Sequence, residues 1–445
     1  MRGAIRLGMV FGMLASSSLA AQAVETVVPQ YDHATHLGVA SCASSTCHGA
    51  AVPVEGGVVQ QNELAIWQSR DKHAVAYEVL GNDLSKRIAA NLGIGDPKEA
   101  AICLDCHADN VPPERRGEQF QLSDGVGCES CHGGASGWIG IHKINDNATS
   151  HARNVAAGLY PTEDPKARAK LCLSCHLGDP TKLVTHRIMG AGHPRLSFEL
   201  DTFTAIEPAH FTVDDDYEQR KRLANGIQTW SVGQAMALSA TLDALLDPKR
   251  NRDALFPELT FFDCHACHKP MSAGSWRERD SLGLGPGVVR LNDASLIMVR
   301  VVANAVAPAL GKQITAQGKA LHRATQADHA AFEKAARALK ATADRAVDTF
   351  ADFRFGPESA RAILNELVAE SRRGETIDYV AAEQTTMAIG AILAAMRQEE
   401  WISEQEFAAN QEVMDQLYEA VEQDERYRPA RHQAGIVRLK GLSTQ

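Results

Sequence analysis

All ten cysteines of this 445-residue chain fall into five close pairs, and a histidine follows the second cysteine of every pair. Four pairs have the spacing Cys-x-x-Cys-His: Cys103 and Cys106 before His107, Cys128 and Cys131 before His132, Cys172 and Cys175 before His176, and Cys264 and Cys267 before His268. The first is wider, Cys42-Ala-Ser-Ser-Thr-Cys47-His48. Disulfides, zinc ribbons and iron–sulfur clusters also use paired cysteines, but none of them calls for a histidine after each pair. Five pairs also leave one over if each zinc site takes two. With 17 histidines in 445 residues, five such coincidences would arise by chance about once in ten million. The spacing has a mechanical reason. Two thiols add to the two vinyl groups on one porphyrin edge, and the next imidazole swings under the ring to the iron. The sequence therefore predicts five covalent haems c. In the first motif the two extra residues must loop outward.

The motifs consume five of the 17 histidines, and the surplus bears on function. A second axial histidine gives low-spin iron suited to electron transfer at low potential, whereas an open position admits substrate. His73 lies on an expected helix, Leu64 to Tyr77. His142 follows the third motif by ten residues, across a loop holding Gly133, Gly134, Gly137 and Gly140. His186 and His193 flank a glycine turn and could serve two different haems. His210 comes soon after, and His322 leads a mostly apolar helical stripe continuing through His329, Phe332, Ala336, Leu339, Ala343, Val347 and Phe350. These six, His73, His142, His186, His193, His210 and His322, are the distal-ligand candidates. His265 sits inside a motif, badly placed for its own iron. His33, His36 and His151 have no pattern behind them.

The segment Gly125-Val-Gly-Cys128-Glu-Ser-Cys131-His132-Gly-Gly, with His142 ten residues on, resembles the tetrahaem cytochrome c family that accepts electrons from hydroxylamine oxidoreductase in nitrifying bacteria. The Trp67 to Tyr77 stretch looks like that family's distal-histidine helix. The likeness covers roughly residues 40 to 180 and four of the five motifs. It implies crossed ligation, with His142 over the haem of His48 and His73 over the haem of His132. It also implies no distal protein ligand at the haem of His107, and a distant one at the fourth haem, from His210 or the His186/His193 pair. The chain departs from the family in its wide first motif, its fifth motif and its long C-terminal region. The segment His193 to Leu200 is similar to one in larger exported cytochromes.

Arg2 and Arg6, the apolar run Leu7 to Leu14 and the small-x-small site Ala21-Gln22-Ala23 read as a signal peptide, residues 1–23. Export to the periplasm follows, with no membrane span in the mature chain. Losing Arg2 and Arg6 takes the formal charge from −10 to −12. That balance disfavours nucleic acid and suits a basic patch on a periplasmic or membrane-bound redox partner. The expected fold is mainly α: a pentahaem domain over 24–285, packed around its cofactors with few short strands, then a helical bundle over 286–445. Thr385 to Ile402 reads as a buried helix and Glu425 to Pro429 as a polar break. No phosphate loop, nucleophile elbow or His-Glu-x-x-His motif is present, and no motif ends in lysine. Electron transfer is the first reading. The alternative is a haem enzyme acting on a small nitrogen or sulfur compound at an open site on His107.

Overall fold

The computed structural model describes residues 26–56, 59–143, 150–221, 223–250, 257–268, 279 and 281–439. The expected leader, 1–23, lies outside them. The fold is mainly α. Among the described residues extended chain pairs only at two isolated bridges, His36 with Arg116 and Phe262 with Leu291.

The first half consists of short helices, and the cysteine motifs sit on them. Ala101–His107, Cys128–His132 and Pro165–His176 each end on the motif histidine, and Cys264–Cys267 ends one residue before His268. A helical turn brings residues three apart onto one face, so both thiols of a Cys-x-x-Cys point the same way. Asp164 caps the Pro165–His176 helix by accepting from the backbone of Lys166 and Ala167, with proline at the first helical position. The wide first motif takes up its two extra residues in a turn. The Cys47 N–H donates to Ser44 O at 2.8 Å and the His48 N–H to Cys42 O at 3.2 Å.

Little apolar core exists in this half. Its buried clusters are Leu80, Leu104 and Ala108, and Ala169, Leu173 and Leu200. Polar anchors hold the segments instead. Glu129, buried inside the third motif, accepts from the backbone of Leu37, Gly38 and Ala135 at 2.7–2.8 Å. It thereby ties the strap before the first motif to the third. Gly38 has φ +94°, and a Cβ there would strike the Gln119 carbonyl. His36, fully buried, lies 2.7 Å from Asp109. Burial pulls its pKa down, but the hydrogen bonds to Asp109 and Asp32 outweigh that and raise it to about 9.

One large apolar core fills the second half, from Ile227 to Ile436. It joins Gly226–Leu246, Ala294–Val306, Pro308–Ala324, His329–Asp352, Pro357–Arg372, Tyr379–Gln398, Glu404–Val421 and Pro429–Ile436. The Gly226–Leu246 helix was not anticipated. It lies before residue 286 and packs on Ala294–Val306 and His329–Asp352. Its apolar residues, with Ile227 and Trp230 fully buried, are interrupted by Gln228, Thr229, Ser231 and Gln234, which are also buried. That all-round burial hides the usual amphipathic stripe. The stripe from His322 to Phe350 is two helices, because Asp328 caps a new start by accepting from Ala331 N. Phe332, Ala336, Leu339, Ala343, Val347 and Phe350 are buried as expected, while His329 is exposed beside Glu333. The buried helix expected over Thr385 to Ile402 spans Tyr379–Gln398. Among the described residues no helix is long and apolar enough to cross a membrane.

Candidate metal centres: five facing histidine pairs

Each of the five motif histidines faces a second histidine. The ring centroids are 5.8 Å apart for His48 and His142, 6.5 Å for His107 and His193, and 6.1 Å for His132 and His210. They are 6.2 Å apart for His176 and His73 and 6.1 Å for His268 and His186. Two imidazoles bound to one metal through nitrogens about 2 Å from it, the usual metal–imidazole length, have centroids roughly 6 Å apart. All five separations meet that requirement.

Four of the rings are held by a bond at Nδ1. His48 Nδ1 lies 3.0 Å from Glu63 Oε2, and His73 Nδ1 lies 3.0 Å from Asp71 Oδ1. Nδ1 of His107 donates to Ala76 O at 3.0 Å, and Nδ1 of His193 to Pro194 O at 2.8 Å. Such bonds fix the tautomer and leave Nε2 for a metal. Burial, with His210 nearby, depresses His132 to about 3, and burial, with His73 nearby, depresses His176 to about 4. Burial also lowers His107 and His142. A neutral imidazole is the form that binds metal. Asp71, His73 and Glu207 converge closely enough to suggest a separate cation site, but Asp71 is already engaged in orienting His73.

Local chain geometry supplies the distal rings. His142 ends the short Ile139–His142 helix after the glycine loop. His186 starts the His186–Gly190 helix, capped by Thr185, and Gly192 at φ +118° turns the chain so that His193 faces elsewhere. The two histidines around that turn therefore address two different motifs. His73 lies within the 3-10 turn Lys72–Val75, capped by Asp71.

The pairing differs from the crossed pattern that the resemblance implies. His142 stands by His48, in agreement with it. His73, expected over His132, stands by His176, and His210 stands by His132 instead. His107, expected without a partner, has His193 beside it. Spacing along the chain could not decide these, because each partner arrives from a different loop.

The remaining seven histidines have other surroundings. His322 is buried in the bundle with Nδ1 donating to Gly318 O at 2.9 Å, and it is brought to no motif. Its helix packs in the bundle's apolar core, and no ring contact with a motif histidine supports the expected haem ligation. His265 stacks on Tyr379 at 5.3 Å, 3.8 Å from Asp424. His151 pairs with Glu163 at 2.6 Å, and His432 with Thr386 at 2.9 Å. His36 and His329 are described above, and His33 is exposed.

The motifs themselves are close together. The thiols of Cys42 and Cys128 lie close enough to shift each other's protonation, as do those of Cys106 and Cys175. Lys182 Nζ donates to Asp105 O at 2.9 Å and lies 3.3 Å from Cys175 Sγ, bridging the second and fourth motifs. Cys131 lies near enough to Cys172 and Cys175 that thiolates there would raise its pKa further, which sets the third motif near the fourth. All ten cysteines are free of disulfides.

Residues 41–133, which carry the first three motifs, match the family model described as cytochrome c554 and c-prime. The match supports a multihaem c-type cytochrome. Such a cytochrome holds its haem c covalently, and the residues present fit that group: each motif offers two free thiols, and each motif imidazole faces a second one. No curated protein and no solved structure matches the chain. The cytochrome match ends before the fourth and fifth motifs and the helical bundle.

Proposed function

We propose that this chain is a periplasmic electron-transfer cytochrome with five haems c, each held by one Cys pair and ligated by two histidines. The observation that carries the reading is that every motif histidine faces a second histidine at a metal-bridging separation. Bound haem supplies a one-electron couple at each site.

The residues arrange these sites in a row. Cys42 against Cys128 sets the first site beside the third. Cys131 near Cys172 and Cys175 sets the third beside the fourth, and Cys106 against Cys175 sets the fourth beside the second. His193 and His186, seven residues apart on one turn, join the second site to the fifth. The order along the row is first, third, fourth, second, fifth. The carboxylates on His48 and His73 strengthen those imidazoles as donors and so favour the oxidised state, which lowers potential. Filled axial positions exclude substrate. The alternative of catalysis at an open site on His107 has no supporting observation, since His193 stands over it.

The partner we propose is a redox protein with a basic docking patch. Residues 399–425 hold ten acidic side chains and no basic one, and nearly all of those acids are exposed. That field would steer a cationic partner, with an association rate that falls as salt rises.

A reductive titration tests the reading. The protein should take up five electrons per chain, and the spectrum of the oxidised form should not change with nitric oxide or nitrite. A ferric signal that responds to either would favour the enzyme.

A further inference from the structure

We infer that Asp263 and Arg290 are a positioning pair for the fifth haem site, fixing it to the helical bundle and setting the charge beside it. The inference rests on the five-haem reading above.

Asp263 immediately precedes Cys264 and is the N-cap of the Cys264–Cys267 helix, its Oδ1 accepting from His265 N at 3.3 Å. It is a buried carboxylate, 4% exposed. Its second oxygen accepts from Arg290 Nη2 at 2.7 Å. The backbone reinforces this contact. Asp263 N donates to Arg290 O at 3.0 Å, and Asn292 N donates to Phe261 O at 2.8 Å, around the Phe262–Leu291 bridge. The same Arg290 nitrogen reaches Asp378 Oδ1.

Asp378 leads into the bundle. It is the N-cap residue of the Tyr379–Gln398 helix. Arg279, 2% exposed, donates to Asp378 at 2.8 Å, to Asp293 at 2.7 Å and to Glu375 at 3.2 Å. Asp293 is in turn the N-cap residue of the Ala294–Val306 helix. Arg300 continues the network to Glu370 at 2.8 Å. Three helix N-termini, one of them carrying a cysteine pair, thus converge through their aspartates on two arginines. No other cysteine pair is tied in this way among the described residues. Elsewhere the side-chain anchors are Glu129 and Lys182 within the first half, the Asp164 cap, and the exposed Lys166–Asp348 pair.

Two consequences follow from burial and charge. An ion pair inside a low-dielectric region is rigid, and removing one partner leaves the other charge uncompensated. A carboxylate next to the first thioether cysteine favours the more positive oxidised site, and a guanidinium opposes it. The two residues should therefore move the potential of the fifth site in opposite directions, and only that site.

The test is a potentiometric titration of the full chain, with haem content read by intact mass. Asp263→Asn keeps a good N-cap side chain while removing the charge. It should retain five haems and move one of the five transitions upward. Arg290→Gln should move the same transition downward. The double variant should lie between the two, and Arg290→Lys, which keeps the charge, should stay near the parent. Five unmoved transitions in both single variants would overturn the inference. So would a double variant further displaced than either single one, because that is the behaviour of a purely structural anchor. A parent chain with four haems by mass would remove the fifth site itself, and the pair's role with it.

Discussion

Replacing His193 with alanine should convert one of the five haems from six-coordinate low spin to five-coordinate high spin. The parent should show no high-spin ferric iron, so the expected change is from none to one haem in five. His193 faces His107 at 6.5 Å between ring centroids, and its Nδ1 is held by the Pro194 carbonyl. With the imidazole gone, the second site acquires the open position that the resemblance to the tetrahaem family implied. The variant should then bind nitric oxide or cyanide at that iron, where the parent does not. His186→Ala should give the same fraction of high-spin iron at the fifth site, beside His268. A His193→Ala protein with the parent's spectrum would refute the His107–His193 pairing.

The largest structural effect should come from withholding haem. A chain with all ten cysteines changed to serine should lose ordered structure up to about residue 206, while the helical bundle survives. The reason lies in where apolar burial occurs. A fully buried large apolar side chain is worth roughly 1.5–3 kcal/mol, and the first half has two small clusters of three buried residues each. Ordering a residue's backbone costs about 1–2 kcal/mol, so a region of that length needs the cofactors as its core. The core from Ile227 to Ile436 has no such need. Hydrogen exchange should show slow amides in Gly226–Leu246 and in the helices after Asp293, with fast exchange before them. Uniform protection across the chain would mean that the first half holds itself together without haem.

Much of this was legible in the sequence, for identifiable reasons. Covalent chemistry is local, so the five attachment motifs could be read directly from spacing. The helical register of Phe332 to Phe350 was visible because its buried residues recur at three- and four-residue steps. Distal ligation is a tertiary property. His73 stands by His176 and His210 by His132, where the resemblance implied His73 over His132, and nothing local in the sequence records that choice. The Gly226–Leu246 helix was missed because buried Gln228, Ser231 and Gln234 interrupt its apolar face. Gln234 donates to Gln384 at 2.7 Å, and Gln384 to Phe198 O at 3.0 Å. Gln234 and Gln384 are thus bonded across helices, which one stretch of sequence cannot reveal. His322 leads an apolar stripe, and the same stripe buries it within the bundle.

Near-infrared magnetic circular dichroism of the fully oxidised protein, scaled to haem content, tests the central claim most directly. The account predicts five low-spin ferric haems per chain, all with two nitrogen ligands from histidine, and no high-spin feature. A high-spin haem in the parent protein, or fewer than five bis-histidine haems, would contradict it.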